Sequence, residues 1–318
     1  MNHKIFLCNL ICVGIVLLSG CTPSGQSAPI FDPTNPPDAS NPAQASVTYR
    51  DNSPKISVPV ASGVKTIGND LVTIDYSNNS EGYVIVSYLG TNPKVKIQIT
   101  GPEGSTYTYC VINKDEIYPL NQGSGEYTLT LYENIQGTEY STAFSDVITC
   151  NVTSEFGPYL YPNQMVMFDA TYASVAKASE LAATAENEIQ VVENVFKYII
   201  ENLEYDHKFA ATVKGDYIPN ADATLASNKG ICCDYATLMA VMLRSQGIPT
   251  RLEVGYVDEE YHEWLSVHTE EDGWIDGIIH FDGEKWIMMD PTISDSMGIK
   301  KNYQYITSGE HYTLKLIY

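Results

Sequence analysis

Positive charge is scarce in this 318-residue chain. Lys and Arg total 18 against 39 Asp and Glu, a formal net charge of -21. Binding to phosphate needs clustered Lys and Arg, so the balance argues against nucleic acid or anionic lipid as a partner. It favours neutral or basic partners and otherwise keeps the surface solvated. Histidine is also sparse: residues 47–151 contain none, and their Asp and Glu follow no calcium-loop spacing, so no catalytic or calcium cluster is expected there. Beyond residue 20 no apolar run is long enough to span a bilayer. Zinc-type spacing is missing as well. Cys232 and Cys233 are adjacent rather than separated by two to four residues, and only His262 is placed to join them with Asp290. No metal or other cofactor is expected.

The segment Met1–Gly20 has a basic start at Lys4, an apolar run from Ile5 to Leu17 and small residues before Cys21. That is a secretory signal pattern, too short for a comfortable membrane span. Its ending, Leu18-Ser19-Gly20-Cys21, resembles a bacterial lipobox. The resemblance implies cleavage before Cys21, lipid on its thiol, and a protein anchored at the extracytoplasmic face of a bacterial cell membrane. An ordinary signal peptide followed by a chance cysteine is the alternative. Acyl burial contributes on the order of 0.8 kcal/mol per CH₂, so two or three chains would hold the protein firmly. Residues 21–46 are rich in Pro, Ser, Asn, Ala and Gln and bury no core, which reads as a flexible tether.

Residues 47–155 change texture. Short runs such as Val72–Tyr76, Tyr83–Tyr88, Val95–Ile99, Tyr107–Ile112, Tyr127–Tyr132 and Val147–Thr149 are punctuated by Gly, Asn, Pro and Asp. Evenly spaced short strands predict an all-β sandwich. It either spaces the rest of the chain from the membrane or binds a ligand. Cys110 and Cys150 both lie in these runs, in a compartment that permits disulfides, and a Cys110–Cys150 bond and two buried thiols both remain open.

Residues 156–318 read as α+β. Helical periodicity covers about 171–185 and 187–203, and Ile189, Val192, Phe196, Ile199 and Leu203 form a buried stripe in the second. Residues 208–228 read as a loop shaping access to the next stretch of chain. That stretch is Gly230-Ile231-Cys232-Cys233-Asp234-Tyr235-Ala236, with a helical pattern that stops at Gly247-Ile248-Pro249. Both cysteines therefore sit at a helix N-terminus, where unpaired N–H groups and the helix dipole favour a thiolate. Cys232 falls on the apolar stripe with Ala236, Met239 and Leu243, while Cys233 keeps company with Thr237 and Arg244 on another side. That spacing selects Cys232 as the nucleophile. A thiolate needs a proton-accepting partner held by a third group. Strand-like runs downstream supply His262 with Trp264 and Ser266 on one side, and Trp286, Met288 and Asp290 on one side of a later run.

The series GICCDYATLMAVMLRSQGIPTRLEVGY, then HEW, then WIMMDPT resembles the transglutaminase-like superfamily, with its papain-like cysteine core. The family pattern G-x-C-x-D-[YF]-A, R-x-x-G-I-P-x-R-x-x-x-G-Y, H-x-W and D-P-T occurs in order across roughly the last half of the chain. The resemblance implies helices on an antiparallel sheet, with Cys232 as nucleophile, His262 as general base and Asp290 as the orienting carboxylate. It implies thioester chemistry on amide bonds of a peptide or protein substrate, with Trp264 and Trp286 as walls of the site or as ordinary core aromatics. Hydrolysis and transamidation use the same three groups and stay open. A catalytically silent binding or structural lipoprotein that keeps the fold is the alternative reading.

Overall fold

The first half of the chain is built from alternation. The computed structural model describes residues 48–257, 260–281, 286–288 and 312–318. Eight strands come first: β1 (Thr66–Gly68), β2 (Val72–Asp75), β3 (Tyr83–Tyr88), β4 (Val95–Thr100), β5 (Thr106–Val111), β6 (Asp115–Pro119), β7 (Gly125–Gln136) and β8 (Glu139–Cys150). They form two four-stranded antiparallel sheets, ordered β1-β2-β3-β6 and β5-β4-β7-β8. Every second side chain of β4 (Val95, Ile97, Ile99) is buried and the intervening ones are not, the pattern of a sheet with one wet face. Val72, Ile74, Val84 and Val86 of the first sheet share a buried core with Ile97, Ile99, Leu129 and Leu131 of the second. The strands run longer than the apolar runs alone suggest, because β8 reaches back to Glu139 through polar residues paired with β7. Cys110 and Cys150 are both free thiols, Cys150 buried and Cys110 only partly so, which departs from the reading of two buried thiols.

The remaining elements are α1 (Ala173–Ala182), α2 (Glu188–Asn202), β9 (Glu204–Tyr205), α3 (His207–Ala210), α4 (Ala221–Ser227), β10 (Lys229–Gly230), α5 (Cys232–Ser245), β11 (Thr250–Val257), β12 (Glu260–Thr269), β13 (Gly273–Phe281), β14 (Trp286–Met288) and β15 (Tyr312–Ile317). Strands β11 to β15 make one antiparallel sheet ordered β14-β13-β12-β11-β15. Helix α5 is buried from Asp234 to Ser245 and packs against α1, α2, α4, β11 and β12. This is the α+β architecture expected, helices on an antiparallel sheet after a β-rich region.

Residues 208–228 are not one loop. Asp206 and Asn220 each cap a short helix, accepting from Phe209 N–H at 2.9 Å and Ala223 N–H at 2.9 Å. Val47–Tyr318 forms one compact unit. Tyr318 meets the rings of Tyr107 and Tyr109 edge-on, at 6.0 and 6.1 Å between centroids. The Ile317 N–H donates to the Tyr107 hydroxyl at 3.2 Å. Strand β5 is thereby stitched to the end of the chain, and the two sheet systems share a boundary.

Candidate active site

Helix α5 fixes the site from both ends. At its C-terminus Gly247 adopts φ +74, and Gly247 N–H and Ile248 N–H donate to Arg244 O and Leu243 O at 2.9 and 3.1 Å. These two bonds are a Schellman stop, the ending that Gly-Ile-Pro predicts. Arg244, fully buried, donates to the carbonyls of Thr250, Tyr161 and Tyr318 at 2.7 to 3.1 Å. One side chain thus ties the helix to β11, to the segment after the first eight strands and to the last residue.

At the N-terminus, Asp234 occupies the third helical position and accepts from Ile231 N–H at 2.9 Å, satisfying the backbone just before the helix. Its other oxygen accepts from the Tyr217 hydroxyl at 2.6 Å. Burial nonetheless raises its pKa above the usual carboxylate value. A Cβ on Gly230 would lie 2.6 Å from the Asp234 Cβ, so glycine is required there by contact rather than by φ. These two observations explain the Gly and Asp of the G-x-C-x-D stretch: they shape the turn that presents Cys232.

Cys232 is half-buried and lines a cleft of about 480 Å³ with Cys233, Tyr205, Tyr217, Glu263 and Tyr318 among others. Tyr205 arrives by a short parallel pairing in which Glu204 and Tyr205 lie opposite Lys229 and Gly230, two residues before Cys232. The Tyr205 hydroxyl hydrogen-bonds Cys232, and burial first, then the neighbouring sulfur, push its pKa up to about 12. It is therefore a neutral phenol at neutral pH, able to donate. Glu263 reaches Cys232 from β12, where it pairs with Val254. Its carboxyl is 3 % exposed, hydrogen-bonds the thiol, and is pushed up to about 8 by burial and then by Asp234. The Cys232 thiol is itself pushed up to about 12, by burial first and the Glu263 charge second. Cys233 is pushed higher still, by burial and then by Glu263 and Asp234.

His262 lies on β12 opposite Gly255, next in sequence to the residue that touches Cys232. Its side chain, the Trp286 side chain and the whole of Asp290 and Cys21 lie outside the described residues. Trp286 pairs with Phe281 at the start of β14, and β13 stands between β14 and β12 in the sheet. Trp264 is buried beside Gly255, donates to Glu253, and is not among the residues lining the cleft. Tyr205 and Glu263 are not singled out by the sequence. Glu263 adjoins His262, but spacing alone does not tell which neighbour meets the thiol, and Tyr205 follows the second helical pattern with no chemistry assigned to it. Among the described residues no group of three or more His, Cys, Asp and Glu could hold a metal ion.

Residues 175–291 match the family model of the transglutaminase-like superfamily. Three solved structures are similar at low identity. A candidate cysteine protease from Cytophaga hutchinsonii is 15 % identical, with 71 % of this chain and 68 % of that one covered and a TM-score of 0.32. A candidate protease from Parabacteroides distasonis is 16 % identical, covering 57 % and 37 %, with a TM-score of 0.31. Red sea bream transglutaminase is 12 % identical, covering 67 % and 48 %, with a TM-score of 0.30. This chain spans about a third and about half of the length of the last two. No curated protein matches the sequence. Helix α5 with its cysteines, and the strands β11 to β14, all fall inside the matched span, and the chain carries a transglutaminase-like superfamily domain at residues 175–291.

Proposed function

We propose that the protein is a thiol-dependent acyl hydrolase or transferase acting on amide bonds of peptides or proteins, with Cys232 as nucleophile. The observation that carries this reading is the placement of Cys232 at the first position of α5, on a cleft, inside the matched domain. In this reading His262 takes the Cys232 proton and Asp290 holds the imidazole in the required tautomer. The thiolate attacks the amide carbonyl carbon, a C–S bond forms, the C–N bond breaks, and His262 returns its proton to the leaving amine. Water or a second amine then resolves the thioester. In this reading the Cys232 backbone N–H and the Tyr205 phenol, which hydrogen-bond each other and the sulfur, turn to the oxyanion as it forms.

The charge environment sets a condition on this chemistry. Burial, joined above about pH 8 by the Glu263 charge, holds the thiol up at about 12, so ionisation at neutral pH requires a cation, the role of the His262 imidazolium. Glu263, held up at about 8, is neutral below that pH and does not oppose the thiolate there. The Leu18–Cys21 pattern supports lipid attachment at Cys21 and a location at the outer face of a bacterial cell membrane. A peptide library incubated with the protein and an added amine, read by mass spectrometry, tests the reaction. Shortened peptides mean proteolysis, a one-dalton gain means deamidation, and amine adducts mean transamidation. A library unchanged in all three respects, and identical with Cys232→Ala, favours a silent binding lipoprotein instead.

A further inference from the structure

The cleft beside Cys232 has a wall from an unexpected part of the chain. Thr108, Tyr109 and Cys110 of β5 line it, across from the cysteines and from residues 213–218. β5 ends its sheet: it pairs with β4 on one side and with no strand on the other among the described residues. Alternate residues of an antiparallel edge strand turn both backbone groups to the free side. The Cys110 carbonyl accepts from Gln164 Nε2 at 2.5 Å, and the Ile112 N–H donates to Glu116 Oε1 at 2.8 Å. The outward set is therefore Cys110, Thr108 and Thr106. Glu116 and Gln164 occupy the end of this edge nearest Ile112. Among the described residues, no other segment hydrogen-bonds the backbone N–H or C=O of Thr108, or the N–H of Cys110. Thr108 is also exposed.

We propose that β5 is a docking strand: an extended peptide adds to its free edge through Thr108 and the Cys110 N–H, and so lies along the cleft that Cys232 lines. This rests on the proposed amide chemistry and specifies how the substrate is held. Main-chain pairing supplies affinity independent of sequence, and alternate side chains of the peptide face the cleft. Asp216 and Lys214 line the cleft together and Glu263 carries its proton below about pH 8, so the lining has little net charge and the peptide is held by main-chain pairing rather than selected by charge. The β-rich region then holds substrate rather than acting as a spacer alone.

Two substrates of the full chain separate the proposal from the chemistry beneath it: reduced casein, an extended polypeptide, and 4-nitrophenyl acetate, an ester too small to pair with a strand. Thr108→Pro removes one N–H on the free side of an edge strand, a place where proline is tolerated. The ratio of kcat/KM for casein to that for the ester is expected to fall at least tenfold, through KM, and Thr108→Ala, which keeps the N–H, restores it. An unchanged ratio in Thr108→Pro overturns the proposal. So does a wild-type protein that consumes the ester and leaves casein intact, an outcome that spares the Cys232 chemistry. Wild-type protein that leaves the ester untouched sinks the thiol reading and the proposal with it. Casein-derived peptides N-methylated at alternate residues give the same test without altering the protein. One methylation register should lower turnover at least tenfold and the other far less; equal effects contradict strand pairing.

Discussion

The two ends of α5 differ in what their buried groups meet. At the C-terminal end Arg244 is buried among three carbonyls, Gly247 and Ile248 close the last turn, and Gln246 Nε2 donates to Asn52 and Ser179, while Gln246 Oε1 has no partner among the described residues. At the N-terminal end burial is compensated only in part: Asp234 and the Cys232 thiol have partners, yet desolvation still dominates. Cys232, Cys233 and Glu263 all have pKa values raised by desolvation, and Glu263 Oε2 has no hydrogen-bond partner among the described residues. Unsatisfied polar groups destabilise a core, so where they gather in a cleft they mark a place kept for chemistry. Under the proposed function one end of the helix carries stability and the other the chemistry.

The sharpest break of that contrast is at the reactive end. Cys232→Ser is expected to lower amide turnover by at least about 10³-fold while leaving the urea midpoint within error, because a nucleophile is lost and little packing is. A comparable loss of stability would show that the thiol is part of the core instead. At the other end, Arg244→Met should cost about 4 kcal/mol in urea unfolding, since the carbonyls of Thr250, Tyr161 and Tyr318 lose their donor inside the protein. A loss below about 1 kcal/mol would mean the carbonyls find other partners.

The C-terminal end was legible because its signals are local. Gly247 followed by Pro249 needs only the residues around it to end a helix, and Gly230 and Asp234 act within one turn of Cys232. The cysteine at the helix start was legible for the same reason. Tyr205 was not, since it depends on a two-residue parallel pairing between segments 25 residues apart, too short to leave a periodic pattern. Glu263 depends on the strand register, where a shift of one residue exchanges the two faces. The wall supplied by β5 depends on contacts between Tyr107, Tyr109 and Tyr318, across some 210 residues, which no local pattern can announce.

Two smaller effects sharpen the comparison. Glu263 has a folded pKa near 8 against an ordinary value of 4.5, so the folded state holds its proton more tightly than the unfolded chain does. The stability tied to that proton is fully present below pH 4.5 and is lost as pH rises through 8. Glu263→Gln should flatten the decline in urea midpoint across that window and raise the alkylation rate of Cys232 above pH 8 several-fold, by removing the adjacent negative charge. An unaltered pH profile would place Glu263 away from the thiol. The smallest effect belongs to the C-terminal end: Gly247→Ala forces a left-handed backbone on alanine and should cost about 1 kcal/mol, with turnover unchanged.

The most direct measurement is the order in which the cysteines react. The folded full chain is treated briefly with limiting iodoacetamide at pH 6 and its peptides are mapped by mass spectrometry. Cys232 should carry label at least tenfold above Cys233, Cys110 and Cys150. Label found first on Cys233, or spread evenly over the four, would contradict the assignment of Cys232 as the reactive thiol.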